Sequence, residues 1–346
     1  MIKPQHLNKW DKVAALTLSW WGPGSFPHKY EAWKKQLEEF FSVKVIEWEL
    51  TLKDRERVYN HPELRAKDLM DALKNPEIKA IISSIWWEES IRILPYIDFD
   101  VIKNNPKIFM GYSDSTVIHF MFHKAWVVSF YWPAIMAWFA ENWWLFPYMS
   151  NSVKKTIFSN EIIWEIKPNK DSRTSEHLDW SNPENQDKKR RLEKCTWWRR
   201  LQWKGIHQWE SLWGCIDVFP FMQWTSIWPS LEDWKWKVLV LEPSEEQMPE
   251  YAFERIIRNL WSQWILHIIS GILVWRSQLN YETNIQINYD ETILNVVNHE
   301  LWLSDLPIIT NMDFWHTDPM LTIPLWCKLE INCDNETISF LESACN

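Results

Sequence analysis

A chain of 346 residues with 24% charged residues and a net charge of −9 lacks the concentrated positive field of a nucleic-acid binder, and its length suits two domains. Five cysteines, an odd number without Cys-x-x-Cys spacing, exclude a disulfide framework or zinc ribbon read from spacing and suit a reducing cytoplasm. One partition is abnormal: 29 tryptophans stand against 6 glycines, whereas glycine ordinarily makes up about 7% of a protein.

The N-terminal Met-Ile-Lys-Pro-Gln-His has no apolar core, so no secretory signal is expected. Over the first 130 residues, short apolar runs then alternate with amphipathic segments. Residues 13–19, 43–48, 80–85 and 107–111 read as buried strands; 30–41, 63–74 and 115–125 read as helices, with apolar residues at i, i+3 or i+4 and i+7. This repetition predicts an α/β fold that opens on a parallel sheet of Rossmann or flavodoxin type, with any ligand at the carboxyl ends of its strands. Residues 125–149 are nearly long and apolar enough to span a bilayer. Pro133, Glu141, Asn142 and Pro147 break the run, which reads as a loop, so no membrane segment is expected. Residues 151–210 are polar and read as a linker with a long substrate loop, in which the basic cluster from Lys188 to Arg200 is a solvated surface. Apolar strands return at 238–241, 268–274, 307–310, 328–331 and 337–341, with helices at 249–260 and 291–301. The expected organisation is an N-terminal α/β domain (1–150), the linker and loop (151–210), and a mixed α+β, strand-rich C-terminal domain (211–346).

Tryptophan stands where glycine belongs. The doublets Trp20-Trp21, Trp86-Trp87, Trp143-Trp144 and Trp197-Trp198, and singles such as Trp10 and Trp302, fall at strand ends, helix ends and turns. Positive φ or close backbone approach is wanted there, and only glycine supplies either cheaply. Most of these residues are expected to stand for glycine, as when a gene whose UGA codons mean Gly is read with UGA as Trp. Keeping about five as true tryptophan returns glycine to its ordinary share. The other reading is a genuinely tryptophan-rich protein.

The segment Lys107-Ile-Phe-Met-Gly-Tyr-Ser-Asp-Ser-Thr116 reads as strand, glycine, sharp turn and helix. Such a nucleophile elbow would lift Ser113 Oγ above the sheet and offer the N–H of Asp114 to an oxyanion. Alternatively, Ser113, Asp114 or Ser115 merely caps the helix. A serine nucleophile needs a base and an orienting acid. His316, in Asn311-Met-Asp-Phe-Trp-His-Thr-Asp-Pro319, follows a strand; it is either that base or an ordinary loop histidine. Glu242 closes the strand Lys237-Val-Leu-Val-Leu-Glu; it is either the acid or a first-turn acidic residue like Glu245 and Glu246. His119 and His123 stand four apart on a helix, but no third metal ligand is spaced to join them, so a packing pair is expected.

Together, Gly111-Tyr-Ser-Asp-Ser-Thr116, Glu242 with Ser244-Glu-Glu246, and the His316 segment resemble the three active-site motifs of the LD-carboxypeptidase family of serine peptidases. The resemblance covers nearly the whole chain, including Ile82-Ser-Ser-Ile-Trp-Trp87, where relatives carry a Gly-Gly pair, and Trp315, where they carry glycine. It implies a Ser113–His316–Glu242 triad without metal or organic cofactor, an oxyanion hole from the backbone of Asp114, Trp86 and Trp87, and a homodimer. Residues 177–186 resemble an extended loop of the microcin-immunity branch, in which a tryptophan matched by Trp180 stacks on the nucleobase of a peptidyl-nucleotide antibiotic. The implied substrate is such a nucleotide, giving self-immunity, or an L,D-linked muropeptide of cell-wall recycling. Trp180, Trp228, Trp234, Trp20 and Trp198 are then the expected true tryptophans. Indoles at 86–87 depart from the pattern, because they would crowd a carbonyl that must approach within about 3 Å of N–H groups. A non-catalytic ligand-binding module and a His119/His123 metal hydrolase are the rival expectations.

Overall fold

A computed structural model describes the chain except residues 86–88, 132–133, 137–144, 164, 183, 186–187, 245–247, 281–284 and 315–316, and the side chains of 285 and 286. The first parallel sheet is built from β1 (Lys12–Leu16), β2 (Lys44–Glu47), β3 (Ile78–Ser83), β4 (Ile108–Gly111) and β5 (Phe130–Tyr131), with α1 (Pro27–Phe41), α2 (Pro62–Lys74) and α3 (Thr116–Lys124) between strands. Its order, 2-1-3-4-5, is the flavodoxin-like one and puts the topological switch between β1 and β3. β1, β3 and β4 are almost wholly buried, the signature of strands covered on both faces. Each Val, Leu or Ile so buried contributes about 1.5–3 kcal/mol.

The second sheet follows α4 (Pro147–Ile157). It takes β6 (Glu165–Ile166), β7 (Arg199–Gln202), β8 (Ile206–Cys215), β9 (Val238–Glu242), β10 (Gly271–Trp275) and β11 (Ile308–Met312), with α5 (Glu250–Ser262) between β9 and β10. β12 (Ile323–Pro324) returns to pair with β5, and β13 (Lys328–Asn332) and β14 (Thr337–Phe340) close the order β6-β14-β13-β8-β9-β10-β11-β7. Strands β8 to β11 are mutually parallel. The fold is therefore the expected α/β sheet followed by a strand-rich mixed half.

Residues 151–210 hold more regular structure than their polarity predicts. Most of α4, all of β6 and β7 and half of β8 lie there. β7 is Arg-Arg-Leu-Gln, too short and polar to read as a strand, and is formed by pairing with β11. The exposed first half of β8 carries no strand signal either, yet its register with β13 fixes it. The helix expected at 291–301 is α-helical over Asp290–Leu294 and continues as a π-helical turn over Asn295–Glu300. No described helix is long and apolar enough to cross a membrane.

The backbone bears on the tryptophan excess. Among the described residues, seven of the eleven non-glycine residues in the left-handed region are tryptophan: Trp10, Trp126, Trp224, Trp236, Trp264, Trp302 and Trp326. For a bulky L-residue that conformation is a genuine outlier, costing about 1–2 kcal/mol each. Three of the rings are largely exposed, Trp224 at 99%, Trp302 at 83% and Trp10 at 75%, although Trp302 Nε1 donates to the His299 carbonyl at 3.0 Å.

Candidate active site

The turn from β4 to α3 is built around a close approach. A Cβ at Gly111 would stand 2.7 Å from Ser115 Oγ and 3.1 Å from Ser83 Cβ, so only glycine lets the strand end bend this tightly. Ser113 follows with φ +49°, a left-handed serine on a buried turn. Ser115, the N-cap of α3, makes no side-chain capping bond. The Ser113 N–H donates to Tyr131 Oη at 2.9 Å.

Asp114 is fully buried and ties the turn to two neighbouring loops. Its Oδ2 accepts from Ser19 Oγ (2.6 Å) beyond β1 and from the N–H groups of Glu89 (3.2 Å) and Ser90 (2.8 Å) beyond β3, while Ser90 Oγ donates to the Asp114 carbonyl (2.7 Å). Burial pushes its carboxyl up to about 6, against those hydrogen bonds. Arg65, also buried, donates to the carbonyls of Leu18 (3.1 Å), Ser19 (3.3 Å) and Glu89 (3.2 Å), and burial lowers its guanidinium to about 10. The loops on both sides of the switch point are thus held against the elbow. Trp86 and Trp87 lie outside the described residues.

Glu242 ends β9 as expected, fully buried, and accepts a short hydrogen bond from Tyr131 Oη. It arrives from the second sheet, which docks through glycine: a Cβ at Gly214 would meet Phe219 Cε1 at 2.4 Å and Thr116 Cγ2 at 2.8 Å. Next to it, the Cys215 N–H donates to Thr116 Oγ1 at 3.0 Å. His316 lies outside the described residues, but the segments flanking it are anchored. Asp313, buried, accepts from Arg276 Nη2 (2.7 Å), the Asn169 N–H (3.0 Å) and Trp198 Nε1 (2.7 Å). Asp318, also buried, pairs with Arg190, and its N–H donates to the Thr174 carbonyl at 2.7 Å.

Trp180 packs edge-on against Trp33 of α1 (5.2 Å) and Phe26 (5.9 Å), and Phe26 in turn lies 6.2 Å from Trp20, the neighbour of Ser19. This chain of rings runs to the loop after β1 at the carboxyl edge that carries Ser113. His119 uses both ring nitrogens: Nε2–H donates to the Gly111 carbonyl and Nδ1 accepts from Ser129 Oγ, each at 2.9 Å, and burial pushes it down to about 3. His123 stacks on Trp326 at 4.0 Å. The two rings serve packing, as expected. Tyr131 and Arg65 were not legible beforehand, since a Tyr in a two-residue strand and an Arg on a helix carry no local sign of their distant partners.

Family models for the LD-carboxypeptidase N-terminal and C-terminal domains match residues 13–132 and 210–331. The chain is 28% identical over 285 residues to the microcin C7 self-immunity protein MccF of Escherichia coli, covering 80% of this chain and 78% of that one. It is 24% identical over 340 residues to a putative carboxypeptidase of Vibrio cholerae, 97% of each chain. The crystal structure of an MccF-like protein from Streptococcus pneumoniae in complex with AMP matches with a TM-score of 0.84 at 26% identity, covering 96% of this chain and 98% of that one.

Proposed function

The chain belongs to the LD-carboxypeptidase family of serine peptidases, and from that premise we propose that Ser113, His316 and Glu242 are its catalytic triad, hydrolysing an amide bond by acyl transfer to serine. His316 takes the Ser113 proton as Oγ attacks the carbonyl, then returns it to the leaving amine. Glu242 fixes the imidazole tautomer and stabilises the imidazolium. The N–H of Asp114 and the backbone at Trp86 and Trp87 hold the oxyanion. Water, activated by the same histidine, then releases the acyl group.

The observation that carries this reading is the φ of +49° at Ser113. A left-handed serine costs about 1–3 kcal/mol and is retained where a turn must lift a reactive Oγ. The substrate is a small peptidyl-nucleotide of the microcin type, with Trp180 against the base. Support comes from the relative named for microcin C7 self-immunity and the similar protein crystallised with AMP. A homodimer in the cytoplasm is part of the same proposal.

Ser113→Ala is expected to abolish turnover with the fold intact, and a serine-directed fluorophosphonate to label the parent protein but not the variant. Retained hydrolysis in the variant would remove the triad. Parallel assays of a peptidyl-nucleotide and an L,D-linked muropeptide test the substrate: cleavage of the muropeptide alone would replace the nucleotide with cell-wall recycling.

A further inference from the structure

We propose that Tyr131 is a positioning residue that sets Ser113 and Glu242 in one register across the two halves of the molecule, an inference that rests on the triad reading above. Tyr131 is 2% exposed, and its hydroxyl bonds to both residues, accepting the Ser113 N–H and donating to Glu242. Glu242 as a carboxylate only accepts, so the phenolic proton goes there. The oxygen then accepts the N–H of Ser113 at 2.9 Å and the hydroxyl of Thr116 at 3.3 Å, leaving Thr116 to accept the Cys215 N–H. Nucleophile turn, acid and both sheets thus share a single oxygen. Burial and the Glu242 charge raise the phenol well above its ordinary value, so it remains a donor throughout the working range. Among the described residues, the ionisable groups near this pair include Cys215, opposite Glu242 on β8, His119, with its ring 5.2 Å from that of Tyr131, Asp114 next to Ser113, and Asp217 on the turn after β8, which accepts the Ser244 N–H.

Tyr131→Phe keeps the ring and removes the shared oxygen. The expected result is a kcat lower by roughly 100-fold with little change in KM, as for a misplaced reacting group. The acid limb of kcat/KM should also move to higher pH, because a carboxylate without its donor is more basic and holds the imidazolium more tightly. Melting curves control for folding. A wild-type kcat and an unmoved acid limb, in a protein that Ser113→Ala inactivates, would overturn the role of Tyr131 alone. Turnover surviving Ser113→Ala would instead remove the triad on which it rests.

The backbone carries a second inference independently: we infer that the native protein has glycine at positions 10, 126, 224, 236, 264, 302 and 326. Five of these are the residue directly after a helix C-cap: Trp126 after Thr116–Lys124, Trp224 after Phe219–Met222, Trp236 after Leu231–Trp234, Trp264 after Glu250–Ser262 and Trp302 after Asn295–Glu300. That site takes a left-handed residue and strongly favours glycine. Trp326 is left-handed and buried, with an indole N–H that has no partner. Trp198 and Trp228 are outside the left-handed set and donate to Asp313 and Gln263. They behave as true tryptophan. Mass spectrometry of protein from its native cells should find glycine at the seven positions and tryptophan at 198 and 228, with UGA and UGG codons respectively. Tryptophan at the seven, or UGG there, would overturn the inference.

Discussion

Asp114 shows what a single buried carboxylate does at this site. Its three accepted bonds connect the elbow to the segments after β1 and β3, yet burial still raises its pKa from 3.8 to about 6. A carboxyl whose folded pKa lies above its unfolded value favours the folded state most below pH 3.8, and that advantage is lost as pH rises through 6. Asp114→Asn cannot ionise and so escapes this loss. Chemical denaturation should find its stability deficit against the parent shrinking by about 2–3 kcal/mol between pH 4 and pH 7. A deficit that stays constant over that range would mean that the carboxyl does not change charge there. Arg276 makes the opposite case: its buried pair with Asp313 leaves no room for a neutral replacement of one partner alone. Arg276→Ala is expected to cost about 3–5 kcal/mol and to slow turnover by loosening the segment before His316, read by denaturation and kcat together.

At the scale of elements, the same substitution should have opposite signs depending on φ. Trp264→Gly and Trp224→Gly remove exposed rings from left-handed positions at helix ends and are expected to raise stability by about 1 kcal/mol or more each. Trp228→Gly removes a ring that stacks on Phe120 at 6.1 Å and lies tilted 5.4 Å from Trp234, and should cost about 3–5 kcal/mol. Thermal melting of the three variants distinguishes a glycine map from a random excess of indoles. The strands and helices of the first sheet were legible because their burial is local and periodic: β2 and β4 lie within the runs read from sequence, and β1 and β3 overlap theirs, starting one and two residues earlier. β7 and the outer half of β8 were not, because their hydrogen bonds to β11 and β13 make them strands and their composition does not.

At the scale of the whole molecule, two large sheets meet where Tyr131 joins the Ser113 turn of the first to Glu242 at the end of β9 in the second. Gly214 is one point of close approach, its backbone packed against Thr116 of α3. Gly214→Val would force Thr116 and Phe219 aside, and is expected to lower kcat at least about tenfold while circular dichroism remains unchanged; an unaltered kcat would show that docking at that point does not set the geometry. The sequence by itself determined the alternation that makes the first sheet parallel, the serine, glutamate and histidine motifs, and the left-handed turns at Trp10 and Trp302, since each is written in neighbouring residues; the described doublet residues Trp20, Trp21, Trp197 and Trp198 are not left-handed. Tertiary structure alone decided that Tyr131 bridges the Ser113 turn and Glu242, which lies 111 residues after Tyr131, that Arg65 and Asp114 fasten the loops beside the switch point, and that β12 closes the first sheet from the far end of the chain. The reason is physical: a buried hydrogen bond is specified by the two surfaces that exclude water from it, and those surfaces exist only once both sheets have formed.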